Sequence, residues 1–225
     1  MLVLVLDSST PAVTAALVEV TSDGLTPRAQ RRTVDARAHG ELLAPQVAAI
    51  LAEVDARPTD LGAIVVGLGP GPFTGLRVGL VTAATMAQVL GVPAYGVCSL
   101  DGIGHPAAAG EPILAAGDAR RREVYWAVYD GAGRRVAGPE VDTPADAARH
   151  ARDLGVTAVV GDGAHRYADV FDLPLRAEPR YPDPTALAAL AAERIRSGAP
   201  GDPLTPLYLR RPDAVAATAR KPVLP

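Results

Sequence analysis

Residues 63–79 read Ala-Ile-Val-Val-Gly-Leu-Gly-Pro-Gly-Pro-Phe-Thr-Gly-Leu-Arg-Val-Gly. The first five are a short apolar run, which predicts a buried strand. Residues 67–75 are too rich in Gly and Pro for a strand or a helix. Gly69, Gly71 and Gly75 permit backbone conformations closed to other residues, and Pro70 and Pro72 stiffen the loop. A helix is expected over 76–90, with Gly91 as its terminator and Pro93 blocking continuation. The loop leads into a helix N-terminus, where free amides can meet an anion. It is neither GxxxxGK[ST] nor GxGxxG, and no lysine follows, which excludes a P-loop. Thr74 is a candidate helix cap. Arg77, in the first turn, opposes the helix dipole, so a partner for its guanidinium is expected, either an acid or a phosphate.

Working outward, the helix over 76–90 carries Val78, Leu80, Val81, Met86, Val89 and Leu90 on several sides, interleaved with Gly79, Ala83, Ala84 and Ala87. Apolar groups all round imply burial on more than one side, one against the domain's own sheet and another against a second subunit. Upstream, residues 2–6 predict a strand buried on both faces, 8–11 a turn, 12–20 a second strand and 30–34 a third. Leu43, Val47, Ile50, Leu51 and Val54 recur at helical spacing, which predicts an amphipathic helix over 40–56 with Pro45 near its start. Downstream, strands are expected at 94–97, 112–116, 123–129 and 157–160, helices at 144–154 and 184–197, and a turn at 161–163. Residues 206–210 read as a short strand or cap. A composition shift near 104–106 divides the chain into units 1–104 and 105–212, and 213–225 reads as a disordered tail. The fold class is α/β, in two sheet-plus-helix halves whose sequences are too dissimilar to be read as a repeat.

Composition narrows the function. With 225 residues, 48% hydrophobic and 21% charged, the chain is globular, and its net charge of -3 argues against a broad nucleic-acid footprint. The basic runs at Arg120-Arg121-Arg122 and Arg210-Arg211 read as solvated surface. A single cysteine, Cys98, excludes an intrachain disulfide framework and fits a reducing cytoplasm. Asp7 interrupts the N-terminal apolar run after six residues, so a strand is expected there and not a signal peptide. No charge-free apolar run reaches about 18 residues, and no membrane span is expected.

Three sets of residues are candidates for chemistry. Asp7-Ser8-Ser9-Thr10 closes the first strand. It can hold hydrated magnesium and a phosphate, or form an Asx or Ser turn. His39 has Leu43 four residues on, so the helical histidine pair of a metal site is incomplete and no metal is expected; His39 reads as a capping or interface residue. Asp118 can orient water or magnesium and Arg120 can meet a phosphate, or the segment is a surface turn with internal ion pairs. GxSxG is absent and Cys98 has no nearby base, so no catalytic residue is identified.

LDSST at 6–10, HGELLAP at 39–45, GLGPGPFTGLRVG at 67–79, DARRREVYWAVY at 118–129 and PLYLRRP at 206–212 occur in order. Together they resemble the TsaB family, also called YeaZ, over nearly the whole chain. The resemblance implies an actin-like, sugar-kinase-like (ASKHA) fold of two subdomains, each with a mixed sheet and helices. It implies a cytoplasmic, non-catalytic subunit in the formation of threonylcarbamoyladenosine on tRNA. The partners would be a metal-binding, TsaD-like transferase and a TsaE-like ATPase, with a homodimer forming when the chain is alone and tRNA met only through the complex. The partner-binding helices map to 40–56 and 75–90, giving His39, Leu43, Val47, Ile50, Arg77, Leu80, Val81 and Ala84 as interface residues. Asp7, Ser8, Ser9, Thr10 and Asp118 are the candidate nucleotide contacts. Any ATP or ADP with magnesium would sit at the partner interface. The competing readings are a stand-alone actin-fold ATPase or sugar kinase, and a glycoprotease-like peptidase.

Overall fold

A computed structural model describes residues 1–210. The first sheet contains β1 (Leu2–Asp7), β2 (Ala12–Val20), β3 (Leu25–Val34), β4 (Leu61–Gly67) and β5 (Ala94–Val97), in the order β3-β2-β1-β4-β5. The second contains β6 (Ile113–Asp118), β7 (Val124–Tyr129), β8 (Arg135–Asp142) and β9 (Ala158–Val160), in the order β8-β7-β6-β9. The helices are α1 (His39–Glu53), α2 (Phe73–Leu90), α3 (Asp101–Ala107), α4 (Pro144–Asp153), α5 (Asp162–Arg166), α6 (Ala168–Phe171) and α7 (Pro184–Arg196).

The two sheets repeat one plan. β1 pairs antiparallel with β2 and parallel with β4. In the same way β6 pairs antiparallel with β7 and parallel with β9. The duplication that the sequence is too divergent to reveal is thus plain in the strand pairing.

Because side chains alternate across a strand, the unbroken apolar run of β1 has to be covered on both faces. Leu4, Leu6, Ile64 and Val66 point at one layer, where Leu43, Val47 and Ile50 of α1 meet Leu76, Leu80 and Ala83 of α2. Val3, Val5, Val65 and Tyr95 point the other way, against Leu187, Ala188, Ala191 and Ile195 of α7. Each fully buried Leu, Ile or Val contributes about 1.5–3 kcal/mol. The second sheet is enclosed likewise, by Ile103 of α3 with Leu207 and Leu209 on one side and by Ala147, Ala151 and Phe171 on the other.

This layering departs from a division by chain order. The expected boundary at residue 104 falls inside α3, and α7, which lies in 105–212 by position, supplies the second cover of the first sheet. β3 begins at Leu25, five residues before its expected start, because as an edge strand it carries exposed Arg28 and Arg31 in place of an apolar face. α3 and β8 give little sequence signal. α3 contains Gly102, Gly104 and Pro106, all poor helix formers, yet a Cβ on Gly104 would stand 2.0 Å from the Tyr129 ring. The expected turn at 161–163 is the start of α5. Residues 206–210 form no strand; the segment acts as the expected cap, with Leu207 and Leu209 against the core of the second sheet and the Leu207 amide donating to the Leu68 carbonyl at 2.8 Å. The expected disordered tail, 213–225, lies outside the described residues.

Candidate functional site

The turn after β1 is locked from all sides. Asp7 is 2% exposed. Its Oδ1 accepts from the Ser9 amide (3.0 Å) and hydroxyl (2.8 Å), and its Oδ2 from the Ser99 hydroxyl (2.6 Å). Burial raises its pKa above the usual carboxylate value, an effect the Ser99 and Ser9 hydrogen bonds oppose. Ser8 Oγ donates to the Gly75 carbonyl (2.7 Å) and accepts from the Gly79 amide (2.9 Å). Thr10 Oγ1 accepts from the Ala12 amide at 3.2 Å. His39 Nε2 donates to the Thr10 carbonyl at 2.8 Å, so this nitrogen carries the proton.

The Gly-Pro segment exists to let this turn approach. A Cβ at Gly71 would lie 2.1 Å from the Ser9 carbonyl oxygen, and one at Gly75 would lie 2.9 Å from the Ser8 carbonyl oxygen and 3.0 Å from His39 Nε2. At Gly67 it would lie 1.8 Å from Asp7 Oδ2. The hydroxyls and carboxylate that the sequence offers as nucleotide contacts are therefore spent within the fold, and the Asx/Ser-turn reading describes them.

The equivalent turn after β6 is open. Asp118 Oδ1 accepts from the Arg120 amide at 3.1 Å, and its Oδ2 meets Arg166 at 3.3 Å. Asp162, at the start of α5, accepts from the Asp118 amide at 3.2 Å. Its pKa is pushed up to about 6 by burial, with the neighbouring Asp118 charge adding to the rise. Asp162 is not among the site residues expected from the sequence, where Gly161-Asp162-Gly163 reads first as a plain turn and otherwise as a place for a nucleotide base. Arg120, Arg121 and Arg122 follow with φ of 60°, 51° and 61°. Each such residue costs about 1–2 kcal/mol in the left-handed region, so the turn stores several kcal/mol.

Ser9, Thr10, Ser99, Asp118, Tyr125 and Asp162 line a crevice between the two sheets. Its free space is about 10 Å³, room for about one water. Neither the crevice nor the occupied side chains fit a nucleotide held by this chain alone. Burial also pushes the Cys98 thiol up to about 12, assisted by the Asp101 charge, so it is no nucleophile at neutral pH. Among the described residues no group of three or more His, Cys, Asp or Glu could hold a metal ion.

The interface residues expected from the helices divide in two. His39, Leu43, Val47, Ile50 and Leu80 are buried within the chain. They belong to the core of the first half and are not available to a partner. Val81 (63% exposed) and Ala84 face outward, and Val89 (78% exposed) joins them. On α1 the exposed positions include Ala44, Ala48, Ala49 and Ala52. By length and composition α2 is apolar enough to cross a membrane, but its Leu76, Leu80 and Ala83 are packed in the core and its first turn carries Arg77. Among the described residues Arg77 meets aromatic side chains and not an acid. Its guanidinium lies 3.8 Å from the Phe73 ring centroid, and Nε donates to the Tyr208 hydroxyl at 2.9 Å. Phe73 and Tyr208 stack at 5.2 Å, so α2 clasps the C-terminal segment. Thr74 lies within the helix, whose cap position is Pro72.

Two sheets of one plan, meeting at a crevice that both strand-end turns border, define an actin-like α/β protein. The profile of the family described as "TsaD: tRNA N6-adenosine threonylcarbamoyltransferase" matches residues 23–175. YeaZ from Pseudomonas aeruginosa superposes with a TM-score of 0.74 at 27% identity, over 92% of this chain and 100% of that one. The TsaB protein of Escherichia coli is 36% identical over 138 residues, 57% of this chain and 55% of that protein. An uncharacterised Mycobacterium leprae protein is 47% identical over 218 residues, 97% of this chain, which spans 57% of that relative's length. The chain belongs to the TsaB (YeaZ) family, within the wider threonylcarbamoyltransferase family that the profile describes.

Proposed function

We propose that this chain is a non-catalytic subunit in the formation of threonylcarbamoyladenosine on tRNA, acting by binding and activating a TsaD-like transferase. The observation that carries the proposal is the outward face of α1 and α2, where Val81, Ala84 and Val89 of α2 and a row of alanines on α1 are exposed among the described residues. Exposed apolar surface of this kind marks a protein contact, and small side chains let helices of two subunits approach closely. The same face serves a homodimer when the partner is lacking. A TsaE-like ATPase joins the pair, and the assembly works in the cytoplasm. The transferase supplies the metal and most of the tRNA contacts, and any ATP or ADP with magnesium sits at the subunit interface.

Depletion of the chain followed by mass spectrometry of tRNA nucleosides tests the role; unchanged threonylcarbamoyladenosine would remove it. The interface has its own test. Val81→Glu and Ala84→Arg are expected to weaken association at least tenfold in light scattering, with the circular dichroism of the parent retained. The same dimer in both variants would locate the contact elsewhere. Micromolar magnesium-ATP binding with turnover by the isolated chain would favour a stand-alone ATPase or kinase instead. Cleavage of a peptide, lost on a single His or Asp substitution, would favour a peptidase.

A further inference from the structure

One stripe of α2 is exposed along the length of the helix. Phe73, Arg77, Val81, Ala84 and Gln88 recur at three- and four-residue spacing, and all of them are exposed. Arg77 is the only charged residue from Phe73 to Leu90, and no acid lies on the helix. Its side chain is held in place. The guanidinium lies 3.8 Å from the Phe73 ring centroid, Nε donates to the Tyr208 hydroxyl at 2.9 Å, and the two rings stack on each other. These contacts use the flat face of the guanidinium and one N–H. They leave its Nη edge without a hydrogen bond or ion pair among the described residues. Phe73 and Tyr208 are each still 38% exposed, so the cluster is a surface feature and not part of the core.

A guanidinium set in this way loses little freedom when it binds. It stands one helical turn from Val81, in the stripe that the proposed function gives to a partner. Covering that stripe takes the Nη edge out of water, and a desolvated guanidinium without an acceptor is costly. The partner therefore has to bring the acceptor. A carboxylate fits best. It takes paired N–H bonds from a guanidinium, and it offsets the unfavourable place of Arg77 near the positive end of α2. A nucleic-acid or polyphosphate chain calls for several cations, and α2 has this one. Arginine beside aromatic rings is also the usual composition of a binding hot spot. We infer that Phe73, Arg77 and Tyr208 form an anchor point, at which the Arg77 guanidinium receives a single aspartate or glutamate carboxylate from the partner protein. Arg77 touches the partner; Phe73 and Tyr208 position it. That the partner is a TsaD-like transferase rests on the function proposed above. The α2 helix of a second copy has no acid to offer.

The test is titration calorimetry of the full chain against the purified transferase of the same organism, across a salt series and without nucleotide. R77Q should weaken the pair at least about tenfold. R77K keeps the charge but loses the planar fork, and should weaken it less. Y208F keeps the ring stack and removes the oxygen that holds Nε, so it should weaken the pair least. All of these side chains are exposed, and each variant should keep the circular dichroism of the parent. Raising salt from about 50 to about 500 mM should weaken the parent more than R77Q, a difference that a purely structural role would not produce. Among Asp→Lys and Glu→Lys variants of the transferase, one should bind R77E more tightly than it binds the parent chain. Unchanged binding by R77Q, with binding lost in Val81→Glu, would overturn the anchor and leave the proposed interface standing. Unchanged binding by both, or a parent that does not bind the transferase, would remove the interface and the anchor together. A defect of R77Q confined to self-association would make the occupant a second copy, and one seen only with magnesium-ATP would make it a phosphate. Either result would overturn the inference.

Discussion

The turns after β1 and after β6 occupy equivalent places in two sheets of one plan, and each follows a strand that ends in aspartate. They have opposite physical characters. In the first, Asp7 is inaccessible, every side chain from 7 to 10 bonds within the chain, and glycines on the facing segment admit the turn at backbone contact. In the second, Asp118 is half-buried, the next three residues are exposed arginines, and the backbone is strained instead of relaxed. One half of the duplication has turned its strand-end loop into packing; the other has kept its loop at the surface at a cost in stability. The chemistry of a strand-end Asp is decided by what stands opposite it, not by the Asp.

The largest effect is expected where the first turn is tightest. Gly71→Ala would drive a Cβ to 2.1 Å from the Ser9 carbonyl oxygen. That atom is main chain and cannot rotate aside, so the loop or the turn has to shift. The expected loss is about 3 kcal/mol, at the upper end for overpacking, read as a lower urea midpoint at unchanged slope. A loss below about 1 kcal/mol would mean that the first turn has slack and that its contrast with the second is overstated.

The crevice wall behind the second turn gives a smaller effect with a pH signature. Asp162 keeps its proton in the folded chain up to about pH 6 and loses it near 3.8 when unfolded. Between those values the folded state binds more protons, so stability falls as pH rises and the loss is complete above about pH 6. Asp162→Asn keeps an acceptor for the Asp118 amide and removes the buried charge. The variant should therefore match its parent at about pH 3.5 and exceed it by about 2 kcal/mol at about pH 7.5. Asp7, raised in the same direction, is common to both proteins and cancels. A gain equal at both pH values would place the effect in packing and not in charge.

The sequence carried the α/β class and the extent of α1, α2 and α7 to within a few residues, because their apolar spacing is set by the sheets they cover. The resemblance carried the actin-like architecture and the family. It was silent where an element is specified from elsewhere in space. Gly104 in α3 answers to the Tyr129 ring, which occupies the space a side chain would need. The partner of Arg77 lies 131 residues downstream at Tyr208, a distance that no local pattern encodes. Likewise, periodicity identified Leu43, Val47, Ile50 and Leu80 as apolar faces without saying which face a core takes; only the packed structure separates them from Val81 and Val89. The strain at 120–122 was invisible for a simpler reason. Arginine is not a residue that announces positive φ.

That strain supplies the smallest prediction and the one opposite in sign to the first. Arg122 sits at φ 61° with its side chain exposed. Glycine there would remove about 1–2 kcal/mol of steric cost, and its extra freedom in the unfolded chain would return about 0.5–1 kcal/mol of that gain. Arg122→Gly should therefore stabilise the protein by about 0.5–1 kcal/mol, an increase of a few degrees or less in the thermal midpoint. Adding a glycine would then strengthen the second turn while removing one weakens the first. A protein selected for stability alone would have made that exchange, so a measured gain would mean that the arginine is kept for its charge. A measured loss would mean that the Arg122 side chain contributes more to the fold than its exposure implies, and the contrast between a packed turn and a strained one would have to be redrawn around the neighbouring Arg120 and Arg121.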